Sequence, residues 1–396
     1  MSGYSRRTFL NRAKLFGALP LAVWLSPEIL WAKENRSQVH YGPLGEALLE
    51  ELTEALQGAT SPALGCGLLI DDKIRGIAAS GQRARGQTAA VTIDDHWHLG
   101  SNTKSITATI AARLIDRGLL EWSTTIGEAL PDLMNNRTKH WEEITLFELL
   151  THRSGIPGGT GRRPTTWNGL WKISGTDLPI KEQSMRACRL ILHEPQIHEP
   201  GKAYEYSNFG YIVAGTMLAG ITQSSWHDLL RDEIAKPLGL ESLGTGPPGR
   251  GAISQLTQPY GHVANTLTPI DPSEASADNP HVLGPAGTAH ASIQDFLVYA
   301  ATHANKGMTV SGDRFLTEEV TAQLHEPIDG YAGGWGVYEY ENETILSHAG
   351  SNGMWFHLTQ VIPSRRAACV VVANAADESS CTKLLGTMRQ RFFTNE

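Results

Sequence analysis

Ser101-Asn102-Thr103-Lys104 stands at the start of an amphipathic stretch, Ser105 to Leu120. It places a hydroxyl and an amine one helical turn apart. Positions i and i+3 share a helix face, so the pair is a nucleophile beside a potential base. A serine at a helix N-terminus also meets unpaired N–H groups and the positive dipole end, and both favour a developing anion. Ile106, Ile110, Leu114 and Ile115 form the apolar side, and Gly118 is placed to end the helix. Lys104 therefore points with Ser101 into a partly dry cleft. Burial or nearby positive charge there lowers a lysine pKa until it accepts a serine proton near neutral pH. Taken singly, Ser101 reads equally well as a helix N-cap.

S-x-x-K is a short pattern, and the chain repeats it at Ser380 to Lys383. Order separates the copies. Tyr206-Ser207-Asn208 and then His348-Ala349-Gly350 follow the first copy, and no comparable series follows the second. Tyr340-Glu341-Asn342 is also Y-x-N, but it falls at an expected hairpin turn. His98-Leu99-Gly100 is also H-x-G, but it lies immediately before the nucleophile. Singly, Tyr206 and Asn208 are also compatible with a loop turn, and His348 with a strand-end hydrogen bond.

The ordered set S-x-x-K, Y-x-N, H-x-G resembles the serine β-lactamase and penicillin-binding protein superfamily. The Y-x-N variant is similar to its class C branch, which includes class C β-lactamases, D-stereospecific peptidases and family VIII carboxylesterases. Leu149-Leu150-Thr151-His152-Arg153-Ser154-Gly155, Pro200-Gly201 before Tyr204-Glu205-Tyr206-Ser207-Asn208, and Gly284-Pro285-Ala286-Gly287 extend the likeness over residues 45 to 393.

The resemblance implies that Ser101 is the acylated nucleophile, Lys104 its activating partner, and Tyr206 a sharer of the proton traffic. A phenol is protonated near pH 7, so Tyr206 needs an adjacent cation to act as a base. Asn208 is expected to orient Lys104 and contact a substrate carbonyl, since a carboxamide offers donor and acceptor without charge. By the same resemblance, the backbone N–H groups of Ser101 and Ser351 form an oxyanion hole. Gly350 permits close approach of substrate to that edge strand. His348 departs from the lysine usual in β-lactamases. It is mostly neutral at pH 7, which withdraws a fixed positive charge from a substrate carboxylate and favours neutral esters or amides. No glutamate-based deacylation motif of the class A type is evident, so the resemblance implies a second step assisted by Tyr206.

Ser5-Arg6-Arg7-Thr8-Phe9-Leu10 precedes an apolar run from Leu15 to Leu25, interrupted by Pro20. This resembles a twin-arginine export signal over residues 1–32, cleaved near Ala32, and implies the twin-arginine machinery as a partner and a periplasmic or extracellular location. An uncleaved anchor or a basic tail is the alternative. The run is shorter than the roughly 20 residues that span a bilayer, and no other segment is expected to span one. A net charge of -8 argues against nonspecific nucleic-acid binding. Cys66, Cys188, Cys369 and Cys381 lack C-x-x-C spacing, and Cys66 and Cys369 read as strand core residues. His193, His198, His262, His281 and His290 lack ligand spacing, so no metal or other cofactor is expected.

Glu46 to Leu56 reads as a helix closed by Gly58, and Ala63 to Ile70 with Lys73 to Ser80 as a hairpin turning at Asp71-Asp72. After the Ser101 helix come short helical patterns, including Thr145 to Leu150 with a T-x-x-E capping box. Long loops are expected at Gly155–Thr176 and Gly244–Gly287. Trp335–Tyr340, Thr344–His348, Trp355–Ile362 and Ala367–Ala373 read as antiparallel strands, and Leu384–Phe393 as a closing helix. The predicted fold is α/β (α+β), β-lactamase/transpeptidase-like, with an antiparallel sheet flanked by helices. An α/β lobe spans residues 45–100 and 290–396, and an all-α lobe over 101–289 is inserted, with the cleft between them. Trp167, Trp171 and Tyr260 are candidates for an apolar wall there, or for residues that pin loops.

The expected function is an exported serine hydrolase acting on a small ester, amide or peptide through an acyl-enzyme. A D-amino-acid peptidase or weak β-lactamase is the enzymatic alternative, and a catalytically silent cell-wall-binding module the non-enzymatic one.

Overall fold

The computed structural model describes residues 39–136, 138–159, 163–249 and 256–393. The twin-arginine pattern, the Leu15–Leu25 run and the expected cleavage near Ala32 lie outside the described residues. Among the described residues no helix is long and apolar enough to cross a membrane.

Among the described residues ten strands form in chain order: β1 (His40–Tyr41), β2 (Ala63–Ile70), β3 (Lys73–Gly81), β4 (His96–His98), β5 (Gly244–Thr245), β6 (Ala289–Ser292), β7 (Gly336–Tyr340), β8 (Glu343–Ser351), β9 (Phe356–Ile362) and β10 (Ala367–Ala373). Seven make one antiparallel sheet in the order β1-β3-β2-β10-β9-β8-β7. The early hairpin and the late strands therefore meet at β2 and β10, where Cys66 pairs with Val371. Both hairpin turns rest on paired left-handed residues. These are Asp71 and Asp72 at φ 52° and 60°, and Glu341 and Asn342 at 52° and 62°. Such backbone suits the twist of two-residue hairpins, and asparagine and aspartate tolerate it best.

The central strands are apolar on both faces because both faces are covered. Leu64, Cys66 and Leu68 of β2 and Cys369 and Val371 of β10 pack with Leu48, Leu52, Leu384 and Met388 from helices Gly45–Gln57 and Glu378–Phe393. The alternate residues face helix Ile293–Ala304. Gly65 and Gly67 make that approach possible, since a Cβ on either would lie within 2.7 Å of an Ile293 side-chain atom. Cys66 and Cys369 sit in this core, and all four cysteines are buried and free.

Helices of the 103–288 region surround the long apolar helix Asn208–Thr222, and a small sheet, β4-β6-β5, fastens that region to the rest. Several expectations change in detail. The helix after Ser101 runs Thr103–Asp116, preceded by one tight turn, Gly100–Asn102. Gly118, at φ 68°, ends it as expected, with its N–H on Ile115 O and the Leu119 N–H on Leu114 O. The closing helix begins earlier, at Glu378, because Asp377 accepts from the Ser380 N–H. That helix carries the second S-x-x-K, whose Lys383 is exposed. The expected loop Gly155–Thr176 contains helix Pro164–Ser174, opened by proline at its first position. The Thr145 capping box forms as read, with Thr145 and Glu148 exchanging hydrogen bonds. β4, β5 and β6 escaped the sequence reading because strands of four residues or fewer leave no measurable period.

Asn374, at the end of β10, is fully buried. Its Oδ1 accepts from the Ala63 N–H and the Ser61 hydroxyl at 2.8 and 3.1 Å. Its Nδ2 donates to Gln82 O and Arg83 O at 3.1 and 3.2 Å. Asn374→Ala leaves the Ala63 N–H and the Gln82 carbonyl without these partners, so urea unfolding is expected to give a loss of about 2–4 kcal/mol.

Candidate active site

The short strand β4 delivers the chain to Gly100, whose φ of 50° turns it into the Gly100–Asn102 turn. The Thr103 hydroxyl donates to Gly100 O at 2.6 Å and locks that turn. Asn102, fully buried, donates to Leu99 O and to His357 O on β9. Ser101 is held half-buried on this rigid step, and Lys104 follows one turn later with its side chain fully enclosed.

Three acceptors surround the Lys104 amine. Nζ lies 2.7 Å from Asn208 Oδ1, 2.7 Å from Ala286 O and 3.1 Å from Ser101 Oγ. Burial without a carboxylate partner pushes the Lys104 pKa well below its ordinary value. A neutral amine has two N–H bonds and one lone pair. As an ammonium Lys104 donates to all three oxygens; in the neutral form two carbonyl oxygens can take the hydrogens, which leaves the lone pair for the Ser101 hydroxyl.

Asn208 opens its helix. Ser207 caps it, accepting the Gly210 N–H and donating to Pro157 O. The Ser207 N–H is itself fixed by His152 Nδ1 at 3.0 Å. The Tyr206 ring centroid lies 4.8 Å from Lys104 Nζ, and its hydroxyl hydrogen-bonds the Ser101 side chain. Burial raises the Tyr206 pKa, with the Ser101 bond opposing, so the resting phenol is protonated.

On the opposite side, β8 brings His348, Gly350 and Ser351. A Cβ on Gly350 would stand 2.2 Å from Leu99 O and 2.5 Å from Ser101 N. The strand therefore touches the nucleophile turn through a position where only glycine fits. His348 is buried, with Nδ1 2.8 Å from Ala349 O and Nε2 3.2 Å from the Tyr331 hydroxyl. A neutral ring donating from Nδ1 and accepting at Nε2 satisfies both contacts. Burial, reinforced by Lys104, lowers its pKa to about 3. His348 therefore offers no positive charge at this corner.

A cavity of about 190 Å³ opens over Ser101, lined also by Asn208, Asn279, Leu283, Ala286, Gly287, Ser351 and Asn352. Of the seven residues singled out by sequence, Ser101, Asn208 and Ser351 line it, while Lys104, Tyr206, His348 and Gly350 stand behind or beside it. Trp167, Trp171 and Tyr260 are not in this lining. Tyr260 is buried with its N–H on Arg83 O, the arrangement of a loop pin. Sequence reasoning missed Asn279, Asn352 and Tyr331, which belong to no motif. It also missed the Ala286 carbonyl, a backbone group that any residue supplies. His152 and Gly287 had a signal, since both fall inside stretches that carried the family likeness.

The family model Beta-lactamase matches residues 49–385. Penicillin-binding protein 4 of Amycolatopsis lactamdurans is 25% identical, over 85% of this chain and 87% of that protein. The class C β-lactamase of Rhodobacter sphaeroides superposes with a TM-score of 0.69 at 19% identity, covering 88% of this chain and 100% of that one. A D-stereospecific amidohydrolase from a Streptomyces species gives 0.67 at 20%, covering 88% and 99%. These solved structures share the fold.

The contact between β8 and the nucleophile turn yields a direct test. Gly350→Ala is expected to displace the turn and cut the rate of Ser101 labelling by a fluorophosphonate by roughly 100-fold. The circular dichroism spectrum should remain native, since the strand stays paired on its other edge.

Proposed function

The chain belongs to the beta-lactamase family, and from that premise and the surroundings of Ser101 we propose that it hydrolyses a small neutral ester or amide through an acyl-enzyme at Ser101. The observation that carries this reading is the three-way setting of Lys104 Nζ between Asn208 Oδ1, Ala286 O and Ser101 Oγ. In the first step the lone pair of Lys104 takes the hydroxyl proton as Ser101 Oγ bonds to the substrate carbonyl carbon. The new oxyanion lies against the backbone N–H groups of Ser101 and Ser351. Collapse of the tetrahedral intermediate breaks the bond to the alcohol or amine, which leaves with a proton relayed from Lys104 through the Tyr206 hydroxyl. Water then attacks the acyl carbonyl, passing a proton along the same path to Lys104, and collapse of the second tetrahedral intermediate breaks the bond to Ser101 Oγ, which takes that proton back as the acid leaves.

The choice of a neutral substrate follows from His348. With both ring nitrogens engaged and its pKa lowered to about 3, it offers no charge to the carboxylate of a penicillin or a D-Ala-D-Ala peptide. The names of the relatives, a penicillin-binding protein and a D-stereospecific amidohydrolase, support the second reading, a D-amino-acid peptidase or weak β-lactamase. The Ser5–Leu10 pattern supports action outside the cytoplasm after export.

Intact mass spectrometry with p-nitrophenyl acetate, a fluorophosphonate and a penicillin separates the two readings. Adducts confined to Ser101 and absent from Ser101→Ala, with rapid ester turnover and no durable penicillin adduct, are expected. A long-lived penicillin adduct establishes the second reading instead, and the absence of any adduct overturns both.

The role of Lys104 has its own signature. The neutral amine is the competent form and its pKa is lowered well below the ordinary lysine value, so acylation should decline as pH falls through that lowered folded value. Lys104→Arg installs a permanent cation and is expected to lower kcat by about 10²–10⁴-fold with no recovery at higher pH. Stopped-flow ester acylation across the pH range measures both.

A further inference from the structure

Asp278 belongs to no motif, yet it touches both halves of the site. Its side chain is buried, with the residue 9% exposed. Oδ1 accepts the Asn279 backbone N–H at 2.7 Å and the Asn352 carboxamide Nδ2 at 3.2 Å. His98 Nε2 lies 2.8 Å from the same oxygen, close but off the N–H axis. The other ring nitrogen of His98, Nδ1, accepts the Gly100 N–H at 3.0 Å, one residue before Ser101. On the far side, Asn279 Nδ2 donates to Gly287 O at 3.0 Å, and Asn279, Asn352 and Gly287 line the cavity over Ser101. A single carboxylate thus meets the turn that presents the nucleophile and the wall that faces it.

The His98 contact is the pairing that a charge finds here, and it serves only one of the two carboxylate oxygens. Asp278 Oδ2 is buried and has no hydrogen-bond partner among the described residues. An unpaired carboxylate oxygen in that setting is destabilising, and a neutral isostere would avoid most of the penalty. What the carboxylate does provide is convergence, since one oxygen gathers three groups from three separate segments.

We propose that Asp278 is a positioning residue for the Ser101 reaction. Through His98 it fixes the Gly100–Ser101 turn, and through Asn279 and Asn352 it fixes the carboxamide wall against which the substrate rests. The proposal rests on the reading of Ser101 as the nucleophile. Displacement of reacting groups by about 1 Å costs on the order of 100-fold in rate, so a residue that touches no reacting atom carries catalytic weight by this route.

Three variants of the full chain test it. Asp278→Asn keeps an oxygen for Asn279 and Asn352 but removes the charge beside His98. Asp278→Ala removes both. His98→Asn keeps an acceptor near the Gly100 N–H and loses the contact to Asp278. For each, kcat and KM with p-nitrophenyl acetate, the fluorophosphonate labelling rate and the melting temperature are measured. Asp278→Asn is expected to melt at or above the wild-type temperature while labelling falls by about tenfold or more. Asp278→Ala should add a rise in KM as the wall loosens. His98→Asn should lower kcat with KM little changed, and the double variant with Asp278→Asn should be no slower than the worse single one, because the two act along one path. Wild-type kcat, KM and labelling in Asp278→Asn would overturn the proposal. So would activity losses that follow a lowered melting temperature and vanish on cooling. A wild-type protein unlabelled at Ser101 would instead overturn the nucleophile reading itself.

Discussion

The enclosed amine of Lys104 is the constraint on which the rest of the site depends. An ammonium this deep, with no carboxylate beside it among the described residues, is unfavourable, and burial lowers the Lys104 pKa well below its ordinary value while two carbonyl oxygens accept from the group. Those oxygens come from Asn208 and from Ala286, far along the chain from residue 104. One side chain therefore requires three distant segments to meet within hydrogen-bond distance. The same requirement explains why the nucleophile helix begins with a tight turn. Gly100 and the Thr103 hydroxyl set the angle at which Lys104 enters, and Ser101 is presented on the way.

Each carbonyl has its own support. The segment before Ala286 is pinned where the Thr107 hydroxyl donates to Pro285 O at 2.7 Å, with Trp226 Nε1 donating to that hydroxyl at 3.0 Å. Gly215 lets the Asn208–Thr222 helix lie against Pro285, since a Cβ there would come within 2.3 Å of the proline ring. The Asn208 carboxamide is aimed by the Ser207 cap and by His152, whose left-handed backbone at φ 61° is held by the contacts of its own ring nitrogen. These partners are buried hydrogen bonds rather than ion pairs. That keeps the surroundings polar enough to hold the amine while burial lowers its pKa.

The legible part of the molecule was the part with a period or a motif. β2 and β10 show continuous apolar runs because both of their faces are covered, and the turns at Asp71-Asp72 and Glu341-Asn342 carry residues that tolerate left-handed backbone. Ser101, Lys104, Tyr206 and Asn208 were visible because they stand at the fixed spacing of S-x-x-K and Y-x-N. Ala286 was invisible as an acceptor because its carbonyl is what matters. Tyr331, Asn279 and Asn352 were invisible because they matter through tertiary placement alone. Helix Pro164–Ser174 was hidden inside a Gly- and Pro-rich stretch, although proline at its first position favours a helix start.

His348 occupies a corner of the site without disturbing the frame around it. Lysine at this corner would set a second ammonium near Lys104, and each would make the other harder to protonate. A pair of that kind is worth holding only for an anionic substrate. Histidine avoids the conflict, and the Tyr331 hydroxyl and Ala349 carbonyl give its ring two partners that suit the uncharged form. Its neighbours His152 and Tyr206 are driven the same way by burial, towards a neutral imidazole and a protonated phenol. The result is a cluster of uncharged aromatic groups around one amine.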